Sequence, residues 1–222
     1  MTKRSFANKV ALVTGGGGQF GRIMCQALAQ RGCKLIVGDC DLTAARNTAA
    51  KTAGLALGLD VTDPAMWTNA ASSARDLFGP LDYVFHCAEQ CTEGSDAESM
   101  ARLWATQVSS LEIANRNCGP DLGSTGGMHV IFVSGAAWQP DPARPLWSAA
   151  EAAKRQWHKA HQLGSRLGES ALIAYDVPPR ASRKTADDEI AAATLWALSR
   201  GEKQAFVPGG FGVTSFCRKS AL

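Results

Sequence analysis

At 222 residues, 45% of them hydrophobic, the chain is long enough to bury one sizeable core and too short for two comfortable domains. Its formal net charge is only +3 and its basic residues are scattered, which argues against a nucleic-acid binder or a protein held on an anionic membrane. No apolar run follows the basic start at residues 1–7, and no later stretch approaches a membrane span, so a cytoplasmic protein is expected.

The predicted elements alternate from the start. Residues 10–13 form a short β-branched strand; a glycine loop and a helix over 22–30 follow, and 34–37 is the second strand. A helix at 44–51 precedes a third strand at 55–59, after which Asp63 suits an N-cap and Pro64 the first position of a helix running to Phe78. Strand four is read at 81–87, a long helix at 99–116, strand five at 129–134, a second long helix at 148–167 and strand six at 171–174. A last helix at 188–199 and a strand near 205–207 close the pattern. Residues 117–127 and 178–187, rich in Gly, Pro and Ser, read as loops. Strands regularly separated by helices imply βαβ units, hence an α/β, Rossmann-type doubly wound parallel sheet with helices on both faces, in one domain covering 1–222.

Seven cysteines, at 25, 33, 40, 87, 91, 118 and 217, contain no CxxC pair and read as reduced thiols. Cys87 and Cys91 lack a second ligand pair, so no metal site is expected.

The run Thr14-Gly15-Gly16-Gly17-Gly18-Gln19-Phe20-Gly21 sits between the first strand and the first helix, where glycines let the backbone approach a pyrophosphate at the positive end of a helix. Gly16, Gly18 and Gly21 satisfy GxGxxG, and the acidic residue expected about 20 positions on is Asp39. A carboxylate there accepts hydrogen bonds from ribose hydroxyls and repels a 2′-phosphate. Cys40 and Asp41 offer no compensating cation, so the cofactor, if one binds, is NAD.

Several segments together resemble the short-chain dehydrogenase/reductase family over essentially the whole chain. They are residues 8–15 with the glycine loop, Asp60-Val61-Thr62-Asp63, Gly79-Pro80-Leu81-Asp82, Ser148-Ala149-Ala150 and Phe206-Val207-Pro208-Gly209-Gly210. The resemblance implies cofactor contacts at Gly15, Gln19, Phe20, Gly21, Asp39, Asp60 and Val61. It also implies four catalytic positions: an Asn, a Ser, a Tyr acting as general acid/base, and a Lys four residues after the Tyr. Here these positions hold Gln107, Ser134, Trp147 and Glu151. An indole N–H donates but does not titrate usefully, so Trp147 cannot act as the acid/base. Glu151 puts a carboxylate where the family has an ammonium, and Ser134 alone lacks an activating base. Gln19 replaces the loop's middle glycine, His86-Cys87-Ala88-Glu89 replaces the family's NNAG, and the stretch after strand six is too short for a substrate lid.

The first expectation is therefore a non-catalytic family member, joined through its two long helices to an active short-chain dehydrogenase and holding NAD weakly or not at all. The family shows such a mixed assembly in the two-subunit hydroxyacyl-CoA dehydrogenase of anaerobic toluene degradation. Trp104 and Trp157, on those helices, are candidate interface anchors. Alternatives are an active NAD-dependent alcohol or hydroxyacyl dehydrogenase with a rearranged site, and an NAD-binding regulator. Two local patterns read as bland: His158 and His161 as an exposed basic helix face, and His86, Glu89 and Glu93 as a solvated strand-end loop.

Overall fold

Seven parallel strands form one sheet in the order β3-β2-β1-β4-β5-β6-β7. A computed structural model describes residues 4–89, 96–164, 168–175 and 183–207, with side chains in the last segment described from 187. The strands are β1 Val10–Thr14, β2 Lys34–Asp39, β3 Leu55–Gly58, β4 Tyr83–His86, β5 Met128–Ser134, β6 Glu169–Tyr175 and β7 Gln204–Val207. Helices α1 Gln19–Ala29, α2 Leu42–Thr52, α3 Pro64–Leu77, α4 Ala97–Trp104, α5 Ser110–Thr125, α6 Pro145–Gly164 and α7 Arg183–Ser199 cover both faces. β1 and β5 are buried along their whole length, as strands covered on both faces must be. The order reverses between β1 and β4, so the crevice outside their carboxyl ends is where a ligand of this fold binds.

Local chemistry sets the helix starts. Asp41 accepts from the N–H groups of Thr43 and Ala44, and Asp63 accepts from Ala65 just before Pro64. One core layer packs α1 and α7 on the sheet around Met24, Leu28, Phe85 and Leu198. The opposite layer packs α3 and α5 around Trp67, Leu81, Val84 and Leu122.

Three sequence expectations need correction. Residues 117–127 are not a loop: α5 runs through Pro120 to Thr125 and ends at Gly126, whose φ is 65°. Tertiary anchors outweigh the proline. Cys118 and Leu122 are buried, Asp121 accepts from Arg75 at 3.0 Å and from the Leu81 N–H at 3.2 Å, and Thr125 donates to the Leu81 carbonyl. The helix expected at 99–116 is instead α4 and α5 joined by a π turn over Ala105–Ser109, centred on Gln107. The last helix starts at Arg183, within the stretch read as a loop; residues 176–182, where the rest of that loop and the missing lid were placed, lie outside the described residues.

Candidate functional site

The glycine loop folds the way its residues dictate. Gly15 has φ 61°, and a Cβ there would lie 2.8 Å from the Ala88 Cα; a Cβ on Gly21 would lie 2.1 Å from the Gly15 carbonyl oxygen. Only glycine lets α1 sit this close to the loop. The Thr14 hydroxyl accepts from the Ala88 N–H at 3.1 Å, tying the end of β1 to the exit of β4.

Outside these strand ends lies a cleft of about 770 Å³. Gly15, Gln19, Phe20, Gly21, Asp39, Asp60 and Val61, the positions read as cofactor contacts, all line it. Asp39 accepts from the Gly17 N–H at 2.8 Å and from the Asp41 N–H at 2.9 Å, which fixes its carboxylate at the mouth of the loop. Asp60 is held by the Thr62 hydroxyl and N–H, and the Val61 carbonyl accepts from the buried Trp67 indole at 2.9 Å. Gln19 donates to Asp187 at 2.6 Å, linking the start of α1 to α7. Phe20 turns its ring onto Phe132, edge to face at 4.9 Å.

The four positions matched to the catalytic set do not converge on this cleft. Trp147 alone lines it; it is 6% exposed, with the Arg144 guanidinium carbon 4.1 Å above the ring. Its indole N–H has no acceptor among the described residues. Glu151 is fully buried below the cleft, where its carboxylate accepts from the Ser134 N–H and pairs with Lys154. Lys154 in turn donates to the Gln107 side-chain carbonyl at 3.0 Å. Gln107, Ser134, Glu151 and Lys154 thus form one buried network with its charges paired, in which the Gln107 amide nitrogen has no acceptor among the described residues. Sequence reasoning missed Lys154. The signal was its position three residues after Glu151 on one helix, which puts the two on the same face.

All four histidines of the chain are at least half buried and belong to one network, although His86, His158 and His161 read as solvated or exposed in the sequence. His86 bonds Ser110 at 3.0 Å and His129 at 3.4 Å, with the Trp67 ring stacked beside it at 5.9 Å. His129 meets the edge of Trp157, and Trp157 stacks on His161 at 4.8 Å. His158 and His161 share the Ser170 hydroxyl at 2.9 and 3.1 Å, and His161 also bonds Asn115. Burial holds His86 down to about 3, helped by the nearby Lys154 charge, and His158 down to about 4, helped by His161 and Lys203. His129 lies well below the usual range, and His161 is lowered by burial against an opposing pull from Glu112. The expectation failed because short buried strands and a helix face packed on them carry no periodic signal that tells a core histidine from an exposed one.

Glu89 is exposed at the cleft, and Glu93 and Cys91 lie outside the described residues. Burial raises the Cys87 thiol well above its usual range, and pushes those of Cys25 and Cys118 up to about 12. Trp157 is half buried within the protein, whereas Trp104 is 43% exposed on α4. No helix among the described residues is long and apolar enough to cross a membrane.

Known proteins of similar sequence and shape agree with this architecture. The short chain dehydrogenase model matches residues 9–169. The chain is 30% identical over 194 residues, 78% of each chain, to 2,5-dichloro-2,5-cyclohexadiene-1,4-diol dehydrogenase LinX of Sphingobium indicum. It is 34% identical to sorbitol dehydrogenase of Cereibacter sphaeroides over 46% of this chain and 42% of that one. A 3-ketoacyl-(acyl-carrier-protein) reductase from Brucella melitensis, solved with NADH, superposes with TM-score 0.80 at 22% identity, over 93% of this chain and 99% of that one. A family model that spans residues 9–169, together with a relative 30% identical over 78% of each chain, places it: the protein belongs to the short-chain dehydrogenase/reductase family.

Proposed function

We propose that this chain is a non-catalytic family member that holds an adenine nucleotide at one end of its cleft and serves as a subunit beside an active NAD-dependent short-chain dehydrogenase. The observation that carries this is Trp147: the one catalytic-set position that reaches the cleft presents an indole, which cannot exchange a proton with a substrate oxygen. Gln107, Ser134 and Glu151 are sealed beneath it with Lys154. The residues fit the adenosine half of NAD: Asp39 and Asp60 face the cleft with their carboxylates oriented by backbone N–H groups. They fit the other half poorly. Asp187 puts a carboxylate at the start of α1, where a pyrophosphate needs positive potential, and Arg144 covers Trp147 where a cationic nicotinamide ring would lie. No hydride-transfer step is derived for this chain. Exposed Met100 and Trp104 on α4 and Leu163 on α6 support a partner surface on these helices.

The test is co-expression with a short-chain dehydrogenase encoded beside this chain in its own genome. A co-purifying heteromer, with no NAD-dependent turnover by the isolated chain on alcohol and hydroxyacyl-CoA panels, is the expected result; recovery only as a free homomer would defeat the proposal. A second reading rests on Tyr175, a phenol at the end of β6 that lines the same cleft, and makes the chain an active dehydrogenase with a relocated acid. Turnover by the isolated chain that disappears in Tyr175→Phe would establish it.

A further inference from the structure

The cleft is charged unevenly from end to end. Asp39, Asp41 and Asp60 line the adenosine end, and Asp187 and Glu89 lie by the glycine loop. Beyond them, on the α4 and α6 side, the ionised side chains lining the cleft among the described residues are Arg102 and Arg144. Each arginine carries an ion pair near the surface, Arg102 to Glu98 at 3.2 Å and Arg144 to Asp141 at 2.9 Å. One such pair uses at most two of a guanidinium's five N–H donors.

A second feature points the same way. The Arg144 guanidinium carbon lies 4.1 Å above the Trp147 ring, and this cation–π contact fixes the arginine at this end of the cleft. Trp147 and Tyr175 also give this end two aromatic side chains, which favour a flat apolar body. Two guanidiniums and an aromatic lining suit a carboxylate carried on a flat ring, because arginine's planar fork matches its two oxygens.

We propose that this end of the cleft is a binding subsite for a small carboxylate carried on a flat ring, with Arg144 and Arg102 holding the carboxylate and Trp147 and Tyr175 packing the ring. The subsite does not depend on turnover or on a partner subunit, so it stands or falls separately from the function proposed above.

Benzoate and its neutral isostere benzamide are the probes, titrated into the full chain at constant ionic strength by ligand-observed NMR. Benzoate is expected to bind in the low millimolar range or tighter, as a ligand of its size allows, and at least about tenfold better than benzamide. Arg144→Gln and Arg102→Gln should each weaken benzoate by about tenfold and narrow its advantage over benzamide. Arg102 is on a largely exposed helix face, so its variant keeps the test sound if Arg144→Gln fails to fold. Equal binding of the two probes, absence of benzoate binding up to about 20 mM, or unchanged affinity in both folded variants would overturn the proposal.

Discussion

The two sides of the sheet meet at one cleft but are built from different chemistry. On the β1–β3 side, the glycine loop, Asp39, Asp60 and Val61 follow the family pattern, and the layers covering it are apolar, around Met24 and Leu28 on one face and Trp67 on the other. On the β4–β6 side, the catalytic-set positions Gln107, Ser134 and Glu151 form a buried, charge-paired network with Lys154, and the four histidines fill the space between strands, α5 and α6. The difference teaches that loss of catalytic groups did not leave a void. Buried polar groups need partners, and this side supplies most of them to one another, the Gln107 amide nitrogen, His129 Nδ1 and the Trp147 indole N–H excepted, so its stability depends on the protonation states of those partners.

Acid gives the largest contrast between the sides. A histidine held neutral by burial is protonated in the unfolded chain near pH 6.5, so its contribution is complete above that pH and is lost as pH falls toward the folded value. For His86 the window runs from 6.5 down to about 3 and for His158 down to about 4. Between pH 6.5 and 5 each such histidine costs somewhat under ~2 kcal/mol, and His86 and His158 together about 3 kcal/mol, a large share of a domain's stability, with His129 acting in the same direction. Urea unfolding at pH 7 and pH 5 should show this drop, and hydrogen exchange should find β4–β6 and α6 opening before β1–β3. An unchanged midpoint would show that the histidines are solvated.

Breaking the ion pair is the next largest effect. Lys154→Met alone leaves the buried Glu151 carboxylate without its cation and should cost about 3–5 kcal/mol. Adding Glu151→Leu should restore most of that loss, because a buried pair replaced by apolar groups is nearly neutral. Equal losses in the single and double variants would place the pair in water.

On the other side, Asp39→Ala should weaken binding of AMP by about tenfold or more, since a hydrogen bond from a ligand to a carboxylate contributes about 1.5–3 kcal/mol. Its effect on stability should be smaller than that of Lys154→Met. The least effect is expected for Trp147→Tyr assayed with NAD and an alcohol panel. It restores a phenol at the cleft, yet no turnover is expected, because catalysis depends on joint positioning with the substrate and the cofactor, and the chain's nearest buried ammonium, Lys154, is taken up by Glu151 and Gln107. Measurable turnover would put the chain one substitution from an enzyme.

The β1–β3 side was legible in the sequence for physical reasons. Glycine at Gly15 and Gly21 is demanded by backbone contact, and Asp41 and Asp63 before helices are capping residues; such local rules can be read along the chain. The other side depends on tertiary contact. Pro120 marks a loop locally but sits in a helix pinned by Arg75 and Leu81, and His158 reads as exposed until Ser170 and Gln204 come to meet it. Arg102 and Arg144 were passed over for the same reason: 42 positions separate them in sequence, and only the fold brings both to one cleft.

The contrast between the two ends of the cleft is tested most directly by calorimetric titration of NADH against ADP-ribose, which differ by the nicotinamide. If the adenosine end does the binding, the two ligands bind with affinities within about threefold of each other. NADH binding tighter than ADP-ribose by more than about tenfold would show a working nicotinamide site, and would contradict the reading of this chain as a family member without its chemistry.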